Sequence, residues 1–436
     1  MSTRRSFLGA AGSAGFAYAQ GRGAVAIPAS FAAESPIGKL KSRRSEAVPI
    51  TNDERQARLD KAQRLMRENK LDAIAVAGGS TLEYFTSIRW GNSERLFIMV
   101  LPARGEPFFV APAFEKDRAL EQIAKGPAAK YPHLFTWEED ESPYQVVAFG
   151  MKERGTATGH IGMEERLPFV FAEGMGKALP SATLTSATPV TAGCRMIKSP
   201  QELDLMRLAC SVTLQAYEAA WRSLRVGMTQ NDFAGLVASA HDKLGFRGGA
   251  GVQVGEYSAL PHGSMKPQVI REGTILLLDG GCAVEGYQSD LSRTFVLGKA
   301  TDKMKRVFDI VHRAQSAALA AARPGVAADA VDVAARKVIV DAGYGPGFKY
   351  FTHRLGHGIG LDGHEWPYLT RNNTLQVNGN SIALAPNMVF SDEPGIYIPG
   401  EFGVRLEDDM HITENGAELF TPQSLSLEDP FGKVTR

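Results

Sequence analysis

The chain has 436 residues, more than a single hydrophobic core usually organises, so two domains are expected. Its 44% hydrophobic and 22% charged content is that of a folded globular protein, and 48 basic residues balance 48 acidic ones, leaving no net field to attract nucleic acid or an anionic membrane. Three cysteines (Cys194, Cys210, Cys282) make no disulfide framework and lack CxxC spacing. They read as buried, inert thiols, with a Cys282 thiolate ligand beside Asp279 as the alternative.

The N-terminus reads Ser2-Thr3-Arg4-Arg5-Ser6-Phe7-Leu8, followed by a weakly apolar Ala/Gly-rich stretch. Paired arginines before such a stretch have the form of a twin-arginine export signal. Residues 1–33 are therefore read as a signal segment and the protein as periplasmic or otherwise exported. No later segment has about 18 uninterrupted apolar residues, so no membrane span is expected. Residues 34–50, rich in Ser, Pro and Lys/Arg, read as a linker.

From 51 to 190 strands alternate with helices, which predicts an α/β domain. Asp53–Lys70 has a charged helical pattern, Leu71–Ala77 reads as a buried strand, and Leu96–Leu101, Phe108–Ala111 and His160–Met163 as further strands. Gly78-Gly79 after a strand is too little for a nucleotide-binding fingerprint. A second organisation begins at Ser199-Pro200-Gln201-Glu202, a capping box that opens a long helix to about Leu224. A turn at Val226–Thr229 and a helix to about Leu244 follow. This helix–turn–helix unit recurs 98 positions later: Arg225 and Gly227 match Arg323 and Gly325, and Gly245 matches Gly343. The glycines fall at turns and helix ends, where positive φ is needed. The repeat predicts a domain over 191–436 built of two related halves, with a pocket between them.

Thr274–Asp279 is a strand ending in a carboxylate, and Tyr287–Val296 reads as its partner. A turn at Val284-Glu285 would place Asp279 directly opposite Asp290. Asn387–Glu393 and Gly403–Asp409, around a turn near Gly400, would likewise oppose Glu393 and Glu407. Directly opposed like charges destabilise a strand pair, so each pair needs a cation or a shared proton. Between the hairpins, Thr352–Glu365 (THRLGHGIGLDGHE) presents His353, His357 and His364 on a backbone too glycine-rich for a helix. Four carboxylates with one imidazole suit two divalent ions, roughly 3.5–4 Å apart, that activate a water. Such ligands favour Mn²⁺, with Co²⁺, Fe²⁺ or Zn²⁺ open. Calcium is disfavoured because the carboxylates are scattered along the chain.

The motifs LLLDGGCAVEGYQSDLSRTF, HRLGHGIGLDGHE, SDEPGIY and GVRLEDD, with ALPHG upstream, resemble the pita-bread metallopeptidases, the family of methionine aminopeptidase, aminopeptidase P, prolidase and the metal-free creatinase. The resemblance implies an α+β pita-bread catalytic domain of two related αββ halves, preceded by a smaller α/β domain. That extra domain, together with a full ligand set, points to a Xaa-Pro peptidase of aminopeptidase P or prolidase type. It implies that Asp279 binds one metal, Asp290 and Glu407 bridge, and His357 and Glu393 complete the shells. It further implies attack by a metal-bridging hydroxide on the carbonyl before proline, with Glu393 as proton shuttle. His262 and His364 would stabilise the oxyanion or the scissile amide, and His353 would line the proline side. Arg405, and less strongly Tyr397, would hold a carboxylate in register. A homodimer or larger assembly is expected, with a peptide as substrate. The alternatives are a hydrolase or lyase of a small non-peptide molecule, or a binding protein, on the same fold.

Overall fold

The computed structural model describes residues 35–130, 132–371 and 381–432, so the signal segment expected over 1–33 lies outside the described residues. Helix α1 (Asn52–Glu68) begins where Thr51 Oγ1 accepts the Glu54 amide. It leads into a six-stranded sheet of β1 (Ala73–Ala77), β2 (Ile98–Pro102), β3 (Phe108–Pro112), β4 (Leu134–Trp137), β5 (Gly159–Met163) and β6 (Ala182–Ser186). The strand order is β4-β3-β2-β1-β5-β6, with β1 antiparallel to β2 and parallel to β5. Alternate residues of β1 feed two cores. Ile74 and Val76 pack beside Leu59, Phe85 and Phe109, while Ala73, Ala75 and Ala77 pack beside Val147, Met151 and Phe171. This part ends in a helix over Thr188–Arg195.

Residues 35–50, expected as a linker, are bound to the second half instead. The Arg43 amide donates to Leu244 O at 2.8 Å and its guanidinium to Ser211 Oγ at 2.7 Å, while Ile37, Leu40 and Ile50 join a core with Leu205 and Leu244. The polar composition of the segment hid three apolar side chains spaced to reach one surface.

The second half opens with α2 (Pro200–Ser223), whose Ser199–Glu202 capping box is fully formed, and α3 (Gln230–Leu244). β7 (Gly248–Val254), β8 (Ile275–Val284), β9 (Tyr287–Gln288) and β10 (Leu291–Val296) follow. Helices α4 (Asp302–Ala321) and α5 (Ala328–Asp341) repeat α2 and α3 at the 98-residue offset. The repeat extends to the backbone: Gly227 and Gly325 have φ of 90° and 83°, and their amides donate to Ile270 O and Leu384 O at 2.9 and 2.8 Å. The later strands are β11 (His357–Gly358), β12 (Glu365–Tyr368), β13 (Val389–Asp392), β14 (Gly395–Ile398), β15 (Phe402–Arg405), β16 (Asp408–Ile412) and β17 (Ala417–Leu419). One sheet runs β10-β8-β7 and the other β12-β11-β13-β16-β17, and they meet where Ser292 and Glu407 exchange backbone hydrogen bonds of 3.3 and 3.2 Å. The two related halves of an α+β pita-bread fold thus join at a carboxylate.

The first hairpin differs from expectation. Its turn is Glu285-Gly286, with φ of 48° and 90°, one residue later than Val284-Glu285. Asp279 therefore pairs with Ser292, not with Asp290. An even slip of two leaves every side chain on its own face, so Asp279 and Asp290 still share one. In the second hairpin Gly395 pairs with Arg405 and Asp392 with Asp408, which brackets Glu393 and Glu407 in the opposed register expected from a turn at Gly400.

A buried ionic cluster ties the two halves of the chain together. Arg195 pairs with Asp362 at 2.7 Å and more closely still with Glu365, and Lys198 Nζ donates to Glu365 at 2.6 Å. Burial alone would raise the Glu365 carboxyl, but Arg195 and Lys198 outweigh it and hold it at about 2. The cluster fixes the loop that carries His364.

Candidate metal centre

A cavity of about 770 Å³ opens where the sheets meet, lined by Asp279, Asp290, His357, Glu393 and Glu407, and also by His262, His353 and His364. Oxygens of Asp279, Asp290 and Glu407 lie within 4.8 Å of one another, and so do donor atoms of His357, Glu393 and Glu407. Glu407 belongs to both triads, which makes the five residues one continuous donor set.

The glycine-rich stretch permits this approach. A Cβ on Gly356 would sit 2.0 Å from Ser391 O, and one on Gly358 would sit 2.5 Å from Glu365 O. Gly280, next to Asp279, is constrained in the same way, since a Cβ there would lie 2.5 Å from Gly249 O. His357 Nδ1 lies 3.1 Å from Gly358 O and so carries the proton. Its Nε2 lone pair faces Glu393 Oε1 at 3.4 Å and Asp290 Oδ2 at 3.8 Å. Burial pushes the ring down to about 3, so it is neutral at any ordinary pH and could serve as a ligand through Nε2.

The carboxylates carry the electrostatic signature of a cation site. Burial, then Asp279, pushes Asp290 well above the usual carboxylate range. Burial, then Asp290, does the same to Glu407, and burial lifts Glu393 to about 8. Burial and mutual repulsion disfavour the charged carboxylates, and two divalent cations would offset both effects. The residues present therefore fit a divalent metal pair.

A relay of side chains supports this set. Ser292 Oγ donates to Glu407 Oε2 at 2.6 Å and lies 3.0 Å from Asp279 Oδ1. Arg405, buried, meets Asp279 Oδ2 at 2.5 Å and donates to Ser292 Oγ, Tyr397 Oη and Pro261 O at 2.9, 3.1 and 3.1 Å. Tyr397 in turn lies 2.8 Å from His353 Nε2, and His353 Nδ1 lies 2.8 Å from Arg354 O. With Nδ1 donating to that carbonyl, Nε2 accepts the Tyr397 proton. Both ring nitrogens of His353 are thus engaged within the protein, and the buried Tyr397 points its hydroxyl at His353 and Arg405. His353 still presents its ring to the cavity, whereas Tyr397 is not among the lining residues. Burial, then Arg405, brings His353 down to about 4.

His262 and His364 are exposed at the cavity. His364 stacks on His357 with centroids 3.6 Å apart. Arg166 donates to the His364 carbonyl at 2.9 Å from the first half of the chain. Three supporting residues were not singled out from the sequence: Ser292, Arg354 and Asp409, whose Oδ2 accepts the Asp290 amide at 3.0 Å. The Glu285-Gly286 dipeptide, a turn signal, would have placed Ser292 opposite Asp279. All three cysteines are free and buried, and Cys282 Sγ faces Ala209 O at 3.4 Å.

With donor set and fold in place, comparison with known proteins gives the class. Residues 204–414 match metallopeptidase family M24, and residues 58–197 match the creatinase/prolidase N-terminal domain. A Xaa-Pro dipeptidase of Lactobacillus delbrueckii subsp. lactis is 33% identical over 383 residues, covering 85% of this chain and 98% of that protein. Dipeptidase PepE from Mycobacterium ulcerans superposes with a TM-score of 0.79 at 32% identity, covering 87% of this chain and 99% of that one. X-Pro aminopeptidase from Thermotoga maritima superposes with a TM-score of 0.70 at 26% identity, covering 85% and 98%. The chain belongs to metallopeptidase family M24, and divalent metal ions are the cofactors that membership implies.

Proposed function

We propose that this chain is a metal-dependent peptidase that cleaves the bond preceding proline, as an Xaa-Pro dipeptidase or aminopeptidase P does. The observation that carries the reading is the convergence of Asp279, Asp290, His357, Glu393 and Glu407 on one cavity. Relatives named Xaa-Pro dipeptidase and X-Pro aminopeptidase support the substrate class. The five residues would hold two divalent ions, manganese by preference, with cobalt, zinc and iron as alternatives. Such ions, when bound, supply Lewis acidity and make a water acidic enough to act as nucleophile near neutral pH.

The chain's own groups would do the rest. Glu393 takes the proton of the attacking water and returns it to the leaving proline nitrogen. His364 and His262, exposed at the cavity, donate hydrogen bonds to the developing oxyanion and to the scissile amide. Arg405 is a positioning residue that aims Asp279. His353, in the cavity wall, would line the proline side, and Tyr397 holds both it and Arg405 in place. The manganese-loaded protein should be offered Xaa-Pro and Xaa-Pro-Yaa in parallel. Cleavage of either at the bond before proline supports the reading, and cleavage of neither overturns it.

Two further readings rest on less. The Arg4-Arg5 segment supports export to the periplasm by the twin-arginine route; replacing both arginines with lysine should retain a fused reporter in the cytoplasm. The exposed pair Phe169 and Val170 would suit contact between copies in a homodimer or larger assembly, which light scattering measures.

A further inference from the structure

The His364 ring has little of its own to hold it. It stacks on His357 and meets Arg354 only at a long 3.5 Å, so its place at the cavity is set by the backbone beneath it. That backbone is gripped from the N-terminal domain. Arg166 straddles Gly363: one terminal nitrogen lies 3.0 Å from Asp362 Oδ1, and the other donates to His364 O at 2.9 Å. Asp362 Oδ2 accepts from Ser80 Oγ and from Arg195, each at 2.7 Å. Ser80, Arg166 and Arg195 all lie within residues 58–197. Gly363 itself has nothing to pack, since a Cβ there would meet no atom within 4 Å. The guanidinium of Arg166 is therefore the brace across the one bare link between Asp362 and His364.

Arg166 projects from a firm base. It follows β5 on a turn closed by the Leu167 amide, which donates to Glu164 O at 3.0 Å. The buried Glu164 carboxylate accepts from Thr81 Oγ1 and from the Arg166 amide, both at 3.2 Å. Thr191 Oγ1 donates to Glu165 at 2.7 Å. The outer end is less confined. A cavity of about 230 Å³, lined also by Glu165, Arg195, Trp366 and Tyr368, lies beside the guanidinium, so a shorter or neutral side chain fits there without clash. With a side chain 54% exposed, the bridge adds little to global stability.

We propose that Arg166 is a positioning residue that holds the His364 imidazole at the cavity, so that the N-terminal domain takes part in turnover. This rests on the peptidase reading and on the donor role given there to His364. Two contacts that flank a glycine fix the path of the backbone through it, and the path fixes where the next side chain points.

The test compares the manganese-loaded full chain with Arg166→Met, Arg166→Lys, His364→Ala and the double variant of Arg166→Met with His364→Ala, on Ala-Pro and Ala-Pro-Ala. Arg166→Met should lower kcat by roughly 10- to 100-fold, the worth of a small misplacement, with KM little changed. Arg166→Lys, able to keep one of the two contacts, should recover part of that. In the His364→Ala background the same methionine substitution should cost less than about 3-fold, because nothing is left to position. All variants should melt close to the parent. Amide hydrogen exchange over residues 361–365 reads the hold on the loop without turnover, and should be faster by roughly 10-fold in Arg166→Met. Unchanged exchange would overturn the inference, and so would equal losses of kcat with and without His364. A His364→Ala variant that turns over like the parent would also overturn it. A parent that cleaves neither peptide overturns the peptidase reading itself, while the exchange comparison still decides whether Arg166 holds the loop.

Discussion

Replacing Arg405 with methionine keeps bulk and removes the charge at the back of the centre. Three neutral acceptors, Pro261 O, Tyr397 Oη and Ser292 Oγ, lose a donor. At about 1 kcal/mol each they cost about 3 kcal/mol. The ion pair with Asp279 adds less than a fully buried pair would, because the Asp279 side chain is 40% exposed and water can replace part of it. A total of about 3–4 kcal/mol corresponds to a melting temperature lower by roughly 6–15 °C. Asp279 also loses the group that aims it, so metal affinity should fall by roughly 10- to 100-fold. Thermal melts in chelator and calorimetric metal titration read the two effects separately. Arg405→Lys, which keeps charge without the fork, should fall between. A methionine variant that melts with the parent and binds metal as tightly would refute the positioning role.

Glu393→Gln should keep the fold and lower turnover by roughly 10²–10⁴-fold, the worth of a positioned proton-transfer group; near-native turnover would remove Glu393 from that role. In the metal-free protein, Glu393 held up at about 8 keeps a proton that the unfolded chain has released. Its stabilisation is complete below the ordinary glutamate pKa of about 4.3 and is lost as pH rises through about 8. His353 and His357, down at about 4 and about 3, oppose this only at lower pH, where an unfolded histidine would be charged. Metal-free melting temperature should therefore fall from pH ~7 to pH ~8, and manganese should abolish the trend. A rise over that window in chelator would contradict the account. Gly280→Ala should destabilise by about 1–3 kcal/mol, because its Cβ would meet the Gly249 carbonyl at 2.5 Å.

The donor set could be read from the sequence because metal chemistry restricts residue type, and hairpin parity restricts faces. The second hairpin was legible to the register, since Gly400, with φ of 75°, marks its turn. In the first, Glu285-Gly286 forms the turn one residue beyond the Val284-Glu285 expected from the alternation. The shift brings Ser292 opposite Asp279 and leaves Asp279 and Asp290 on one face. What local pattern cannot show is contact between distant positions. Tyr397 reaches His353 across 44 residues and Arg195 reaches Glu365 across 170, and nothing in either neighbourhood announces its partner. The order of the first sheet was hidden for the same reason, since β1 pairs both with the next strand, β2, and with β5, passing over β3 and β4. Residues 35–50 misled through composition, because three apolar residues among many polar ones sufficed to bind them.

The central claim is that the five donors make a metal-dependent Xaa-Pro peptidase. Its most direct test is hydrolysis of Ala-Pro and Ala-Pro-Ala by chelator-treated protein titrated with manganese. The account predicts no turnover without metal and activity that saturates near two equivalents per chain. Cleavage that is indifferent to chelator, or metal-loaded protein that leaves both peptides intact, would contradict it.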